Sequence, residues 1–207
     1  MTQTRSGPMS KVVGYVLAGG ESLRMGKDKC LLPWGEKTLL DHALARLREA
    51  AARTPAILCG PEVRYADHGV PAFPDAIPGK GALGGVLTGL ERLPPDADFG
   101  LFLAVDLPLV SVELLRHLAD RAREGIDAVV VFSPSGPEPL CAIYGRTALP
   151  AVRQSVEAGE LRMTSFWTEV CVHAVYSAAV ADFGDPATLL RNVNAPADYM
   201  ALRSATP

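Results

Sequence analysis

Continuous apolar runs alternate with helical periodicities along most of this chain. Val12-Val-Gly-Tyr-Val-Leu17 is apolar throughout and rich in β-branched residues, the pattern of a strand covered on both faces. It passes into Ala18-Gly-Gly-Glu-Ser-Leu-Arg-Met-Gly-Lys-Asp-Lys29, a stretch too polar and glycine-rich to extend it. Thr38-Leu-Leu-Asp41 has the form of a capping box, and Leu40, Ala43, Leu44, Leu47 and Ala51 behind it share one helical face. Ala56 to Cys59 predicts a short strand ended by Gly60-Pro61. Gly81 to Leu93 predicts a helix through Leu83, Val86, Leu87 and Leu90. Phe99 to Val105 predicts a second fully buried strand, stopped by Asp106-Leu-Pro108. Ser111 is placed to cap a helix that turns Leu115, Leu118 and Ala122 inward, with Gly125 just past its end. Further strands are expected at Ala128 to Phe132, Leu140 to Tyr144 and Val170 to Tyr176, with a helix at Ala148 to Ala158.

Strands alternating with helices of this length predict an α/β fold, a mostly parallel sheet covered on both faces and joined by right-handed crossovers. Neither a repeat nor a linker divides the 207 residues, so one domain over 11–203 is expected, preceded by a flexible polar extension at 1–10. Hydrophobic residues make up 48% of the chain, enough for a sizeable core. The net charge is −3, with acidic and basic residues mixed, which offers no basic face for nucleic acid. No apolar run reaches the ~20 residues that cross a bilayer, and the expected location is cytoplasmic. The four cysteines, Cys30, Cys59, Cys141 and Cys171, form no CxxC pair and read as free thiols. His42, His68, His117 and His173 read as surface or helix residues rather than catalytic groups.

In such sheets, ligands bind beyond the carboxyl ends of the strands, and two segments there carry chemistry. In the loop after the first strand, Gly19, Gly20 and Gly26 allow close backbone approach, and successive N–H groups can form an anion-binding nest. Arg24, Lys27 and Lys29 add positive charge, partly offset by Glu21 and Asp28. The loop lacks GK[ST] and GxGxxG, so it is neither a Walker A loop nor a dinucleotide fingerprint. The second segment is Val105-Asp-Leu-Pro108, where a carboxylate at a strand end suits Mg²⁺ held jointly with phosphate oxygens.

Leu17-Ala-Gly-Gly-Glu-Ser-Leu-Arg-Met-Gly-Lys-Asp-Lys-Cys-Leu-Leu32 resembles the LAGGxSxRMGxDKxLL signature of the molybdenum cofactor guanylyltransferases, the MobA-type branch of the nucleotidyltransferases. Gly81-Ala-Leu-Gly-Gly85, Asp106-Leu-Pro108, Ala158-Gly-Glu160 and Asn192-Val-Asn-Ala-Pro196 follow in that family's order. The resemblance implies a Rossmann-like, three-layer nucleotidyltransferase domain that joins GMP from GTP to molybdopterin-bound molybdenum and releases pyrophosphate. It implies nucleotide contacts at Leu17, Ala18, Gly19, Gly20, Lys29 and Asp75, with Mg²⁺ on Asp106. Catalytic charge neutralisation would fall to Arg24, Lys29 and Asp106, and contacts to the molybdopterin-type acceptor to Arg162, Asn192 and Asn194. Molybdoenzymes or other cofactor-biosynthesis proteins are the implied protein partners. Four positions depart from the family's pattern: Glu138 for histidine, Leu161 for a second arginine, Ala82 for proline and Ala195 for threonine. Two readings compete with guanylyl transfer. One is a relative that transfers another nucleotide, such as CMP, to the same acceptor. Its loop more often reads LAAG, and Gly19, lacking a methyl, is expected to leave room for a purine. The other is a GTP-binding module without turnover, which would have little use for Lys29 together with Asp106.

Overall fold

The computed structural model describes residues 11–19, 28–133 and 135–205, with the side chains of 204–205 left out. The expected extension at 1–10 lies outside them, as do two of the nominated site residues, Gly20 and Arg24. The strands are β1 (Val12–Leu17), β2 (Pro33–Trp34), β3 (Lys37–Thr38), β4 (Ala56–Leu58), β5 (Ala72–Phe73), β6 (Phe99–Ala104), β7 (Ala128–Ser133), β8 (Gly136–Gly145) and β9 (Val172–Tyr176). The helices are α1 (Leu39–Ala51), α2 (Gly81–Glu91), α3 (Val112–Ala119), α4 (Leu149–Ala158), α5 (Ser177–Val180), α6 (Pro186–Leu189) and α7 (Pro196–Ala205).

Seven strands form one sheet in the order β5-β4-β1-β6-β8-β7-β9, and β2 with β3 makes a separate antiparallel ribbon. Strands β5, β4, β1 and β6 run parallel, as do β7 and β9, whereas β8 is antiparallel to both its neighbours. The expected mostly parallel sheet is therefore present with one reversed strand. Its two faces carry separate cores. Val12 and Val16 of β1 pack with Leu40, Leu44 and Leu47 of α1 and Leu115 and Leu118 of α3. Tyr15 and Leu17 pack with Leu83, Val86 and Leu87 of α2 and Val152 of α4 on the other side. Strands β1 and β6 are buried along their whole length, as a strand sandwiched between two helical layers requires. Among the described residues no helix is long and apolar enough to cross a membrane.

Local chemistry sets the helix starts. The Thr38 hydroxyl accepts from the Asp41 N–H at 3.1 Å, and the Asp41 carboxylate accepts from the Thr38 N–H at 3.1 Å, completing the capping box read from the sequence. Ser111 accepts from the Leu114 N–H at 3.2 Å and starts α3. Several boundaries differ from the sequence reading by one or more residues, and three of them bear on the fold. The helix expected to run to Gly125 ends at Ala119. From there Arg121 and Ala122 donate to Leu118 and Ala119, and these tighter turns keep Ala122 buried without an α-helix. Strand β8 begins at Gly136, not Leu140, because Pro137 and Pro139 are accommodated where the pairing with β7 shifts beside Val130 and Val131. The last strand starts at Val172 rather than Val170.

Candidate active site

Strands β1, β4 and β6 end on the same side of the sheet, and a cleft of about 1190 Å³ opens there. Its lining includes Leu17, Ala18, Gly19, Lys29, Asp75 and Asp106, six of the nominated residues, together with Arg64, Gly85 and Leu140. The structure does not bring Arg162, Asn192 or Asn194 into that lining. Arg162 is exposed in the connection after α4, Asn194 is exposed, and Asn192 is half-buried.

Lys29 and Asp106 meet across the cleft. Lys29 Nζ stands 3.2 Å from Asp106 Oδ2, with both side chains mostly shielded from solvent. The other carboxylate oxygen, Asp106 Oδ1, is buried and has no hydrogen-bond partner among the described residues. A buried carboxylate oxygen without a donor is costly unless a cation or proton donor reaches it, so this position fits a divalent cation. Among the described residues no group of three or more His, Cys, Asp or Glu side chains could hold a metal. Mg²⁺ bound with phosphates usually takes one or two carboxylates and completes its shell with substrate oxygens and water, an arrangement that Asp106 suits.

The turn that presents Lys29 is locked in place. Asp28 caps it by accepting from the Cys30 N–H at 3.0 Å through Oδ1. Its Oδ2 accepts from the Tyr65 hydroxyl at 2.7 Å and lies 3.6 Å from the Arg64 guanidinium. Arg64 also donates to the carbonyls of Ala18 at 3.4 Å and Cys59 at 3.3 Å. One arginine thus contacts residues on both flanks of the glycine-rich loop. Tyr65 holds this place in a left-handed backbone conformation, φ 62°, which costs a tyrosine energy and persists only where the surroundings enforce it. Cys30 beneath them is 3% exposed, and burial pushes its thiol up to about 11, so it is protonated at neutral pH.

Gly19 is hemmed in by backbone. A Cβ there would fall 2.8 Å from the Gly60 backbone nitrogen, so the missing methyl admits the neighbouring turn after β4. That contact gives Gly19 a structural need of its own, beside the expectation that it leaves room for a purine. Gly85 is constrained likewise, because a Cβ would sit 2.7 Å from Leu17 Cδ2 and 4.0 Å from Asp75 Oδ1. The first turns of α2 therefore lie directly against the end of β1. Asp75 is fixed beside them: its N–H donates to the Gly60 carbonyl at 2.6 Å, and the next residue, Ala76, donates to the buried Thr88 hydroxyl at 2.9 Å. Burial raises the Asp75 carboxyl from its ordinary value.

On the other side of Asp106, Glu138 is half-buried and accepts from the Ser133 hydroxyl at 3.0 Å. Burial raises its carboxyl, the Ser133 bond works against that rise, and the Asp106 charge adds to it. The departure at Glu138 thus puts a second acidic group in the field of Asp106. Sequence reasoning missed Arg64 and Tyr65 as parts of the site. The only sequence signal was an arginine–tyrosine pair in an irregular stretch between two short strands.

The MobA-like NTP transferase domain model matches residues 14–171. A probable molybdenum cofactor guanylyltransferase of Carboxydothermus hydrogenoformans is 31% identical over 194 residues, covering 94% of this chain and 96% of the relative. The fold is shared with the molybdopterin-guanine dinucleotide biosynthesis protein A of Archaeoglobus fulgidus, with TM-score 0.77, 21% identity and 93% and 97% of the two chains covered. It is also shared with a Mycobacterium tuberculosis protein solved as a complex with manganese, with TM-score 0.63, 20% identity and 95% and 100% covered.

Proposed function

The chain belongs to the MobA-like NTP transferase family, and on that premise we propose that it transfers GMP from GTP to a molybdopterin-type acceptor, releasing pyrophosphate. The observation that carries this reading is the Lys29–Asp106 pair beyond the strand ends, with one Asp106 oxygen left without a partner among the described residues. The nucleotidyltransferase unit is taken as 11–203, and the family supports a divalent cation, which we assign as Mg²⁺.

The acceptor's phosphate oxygen would attack the α-phosphorus of GTP, and the bond to pyrophosphate would break with its electron pair on the leaving group. Such a transfer asks the protein for positioning and charge neutralisation rather than a side-chain nucleophile. When bound on Asp106, Mg²⁺ would neutralise phosphate charge and polarise the phosphorus centre. Lys29 is the cation placed to exchange Asp106 for phosphate oxygens as the nucleotide enters, and Arg24 would join it from the loop. Arg64 and Tyr65 hold the flanks of that loop, and because the Ala18 N–H is already donated to the Leu58 carbonyl at 2.9 Å, the backbone at Gly19 and Gly20 would be what meets the nucleotide. Asp75, beside the first turns of α2, is the carboxyl placed on the nucleoside side.

Guanine is assigned from the guanylyltransferase relatives. The test is calorimetric titration of GTP, CTP and ATP with Mg²⁺, followed by molybdopterin-dependent pyrophosphate release. Tighter binding and faster release with GTP support the reading, and equal or better performance of CTP sinks the guanine assignment.

A further inference from the structure

The C-terminal edge of the sheet carries an aromatic surface outside the cleft around Asp106. Phe132 at the end of β7 and Tyr176 at the end of β9 lie with ring centroids 5.5 Å apart, and Phe132 lies 6.1 Å from Trp167. Tyr176 is 65% exposed, while Tyr15, Phe102 and Tyr144, which fill the core of the same sheet, are at most 1% exposed. The fold thus spends three rings on building a surface, and the outermost is open to solvent.

That surface lies at the same end of the sheet as Asp106. Phe102 pairs with Ala142, Ala142 with Val130, and Val130 with Ala174. Beyond that level the pairing of β7 with β8 shifts, and β7 and β9 run on in register to Phe132 and Tyr176 at the same end of the sheet as Ala104 and Asp106. In the sheet order β6-β8-β7-β9, Phe132 is two strands and Tyr176 three strands from the strand that delivers Asp106. At ~4.8 Å per strand, the lateral separations are on the order of 10 and 14 Å. Trp167 comes from the connection after α4, which also carries the exposed Arg162.

We propose that Tyr176, backed by Phe132 and Trp167, is the stacking platform for the planar heterocycle of the acceptor, while the acceptor's phosphate reaches Asp106. The proposal rests on the function stated above, which supplies a pterin carrying its phosphate on a side arm. A fused aromatic heterocycle gains from a flat, amphipathic ring much as a nucleobase does, and such stacking needs no specific hydrogen-bond pattern. The platform also gives the acceptor half an attachment that does not depend on a cation. It therefore compensates in part for Leu161 and Glu138, where this chain lacks basic groups common in the family.

The test uses the full chain, with Tyr176→Ala and Tyr176→Phe assayed for pyrophosphate release at saturating GTP over a range of molybdopterin concentrations. Because Tyr176 is exposed, neither change should lower the melting temperature. Tyr176→Ala should raise the KM for molybdopterin about tenfold, the scale of one lost base-like stack, and leave the KM for GTP unchanged. Tyr176→Phe, which keeps the ring, should behave as wild type. An unchanged molybdopterin KM in Tyr176→Ala overturns the proposal, as does a Tyr176→Phe variant as impaired as Tyr176→Ala. A wild-type dimer that Tyr176→Ala turns into a monomer overturns it too, because the rings would then cover a second copy of the chain. Wild-type enzyme that releases no pyrophosphate with molybdopterin fails at an earlier step and overturns the functional reading itself.

Discussion

The backbone N–H of Val193 donates to the carbonyl of Asp106 at 2.9 Å, tying the segment before the last helix to the end of the central strand. Val193 is fully buried at that junction, while Asn194 beside it is exposed. The segment is held from its other side by Asp198, whose Oδ2 accepts from the N–H groups of Asn194 at 3.1 Å and Ala195 at 2.8 Å. Backbone bonds therefore fix the position of this segment, leaving the asparagine side chains for other work. Asn194→Ala is expected to weaken acceptor use by about 1–2 kcal/mol without changing the melting temperature. Asp198→Ala, which removes the cap, is expected to cost about 1 kcal/mol of stability. Acceptor kinetics and calorimetry on both variants check the pair. An Asn194→Ala protein that melts early but uses acceptor normally would make that side chain structural.

Arg64 and Tyr65 support a prediction about the nucleotide. Tyr65→Phe removes the hydroxyl that donates to the Asp28 carboxylate, a bond to a charged group worth about 1.5 kcal/mol. GTP affinity should fall roughly tenfold, with the molybdopterin KM unchanged. Arg64→Gln should act in the same direction, because it releases Ala18 and Asp28 together. Titration of GTP into both variants decides the matter, and wild-type affinity in both would show that the flanks of the loop need no such support.

Asp106→Asn keeps the shape of the side chain but removes its charge, and the site lies at a strand terminus rather than in the core. The variant should fold and lose transfer by at least ~100-fold, the scale of removing a group that organises charge at the reaction centre. A well-folded Asp106→Asn enzyme with most of its rate would move the metal elsewhere.

The capping box gives a pH signature remote from the site. Burial pushes the Asp41 carboxyl up, but the Thr38 hydroxyl and N–H, with His68, outweigh burial and hold it below its ordinary value of 3.8. A lowered pKa means that the stabilisation is present above 3.8 and is lost as pH falls through the folded-state value. Asp41→Ala should therefore cost about 1 kcal/mol at neutral pH, and the gap to wild type should close under strong acid. Denaturation curves between neutral pH and pH ~2 measure it, and a gap that stays constant over that range would contradict the assignment.

The elements governed by local rules were legible in the sequence. Val12–Leu17 and Phe99–Ala104 are apolar at every turn of the pleat, and Thr38 and Ser111 announce their helices by their own hydroxyls. Asp106 was nominated only together with the Leu17–Leu32 signature, because an acidic residue after a buried strand reads equally well as a turn residue when taken alone. Strand β8 was harder, since Pro137 and Pro139 argue against a strand until the pairing shift beside Val131 makes room for them. Arg64 was not legible at all: it acts on Ala18, 46 positions earlier, and only the parallel pairing of β1 with β4 brings the two together. The contact of Gly19 with Gly60 was not legible either, because the two are distant in sequence.

The most direct test of guanylyl transfer follows the label from GTP. Enzyme is incubated with Mg²⁺, molybdopterin and GTP labelled at either the α- or the γ-phosphate, and the products are separated and identified by mass. The account predicts that α-label appears in a pterin–guanine dinucleotide and γ-label in pyrophosphate. Label from the γ-phosphate on the pterin, or α-label that never leaves the free nucleotide pool, would contradict it.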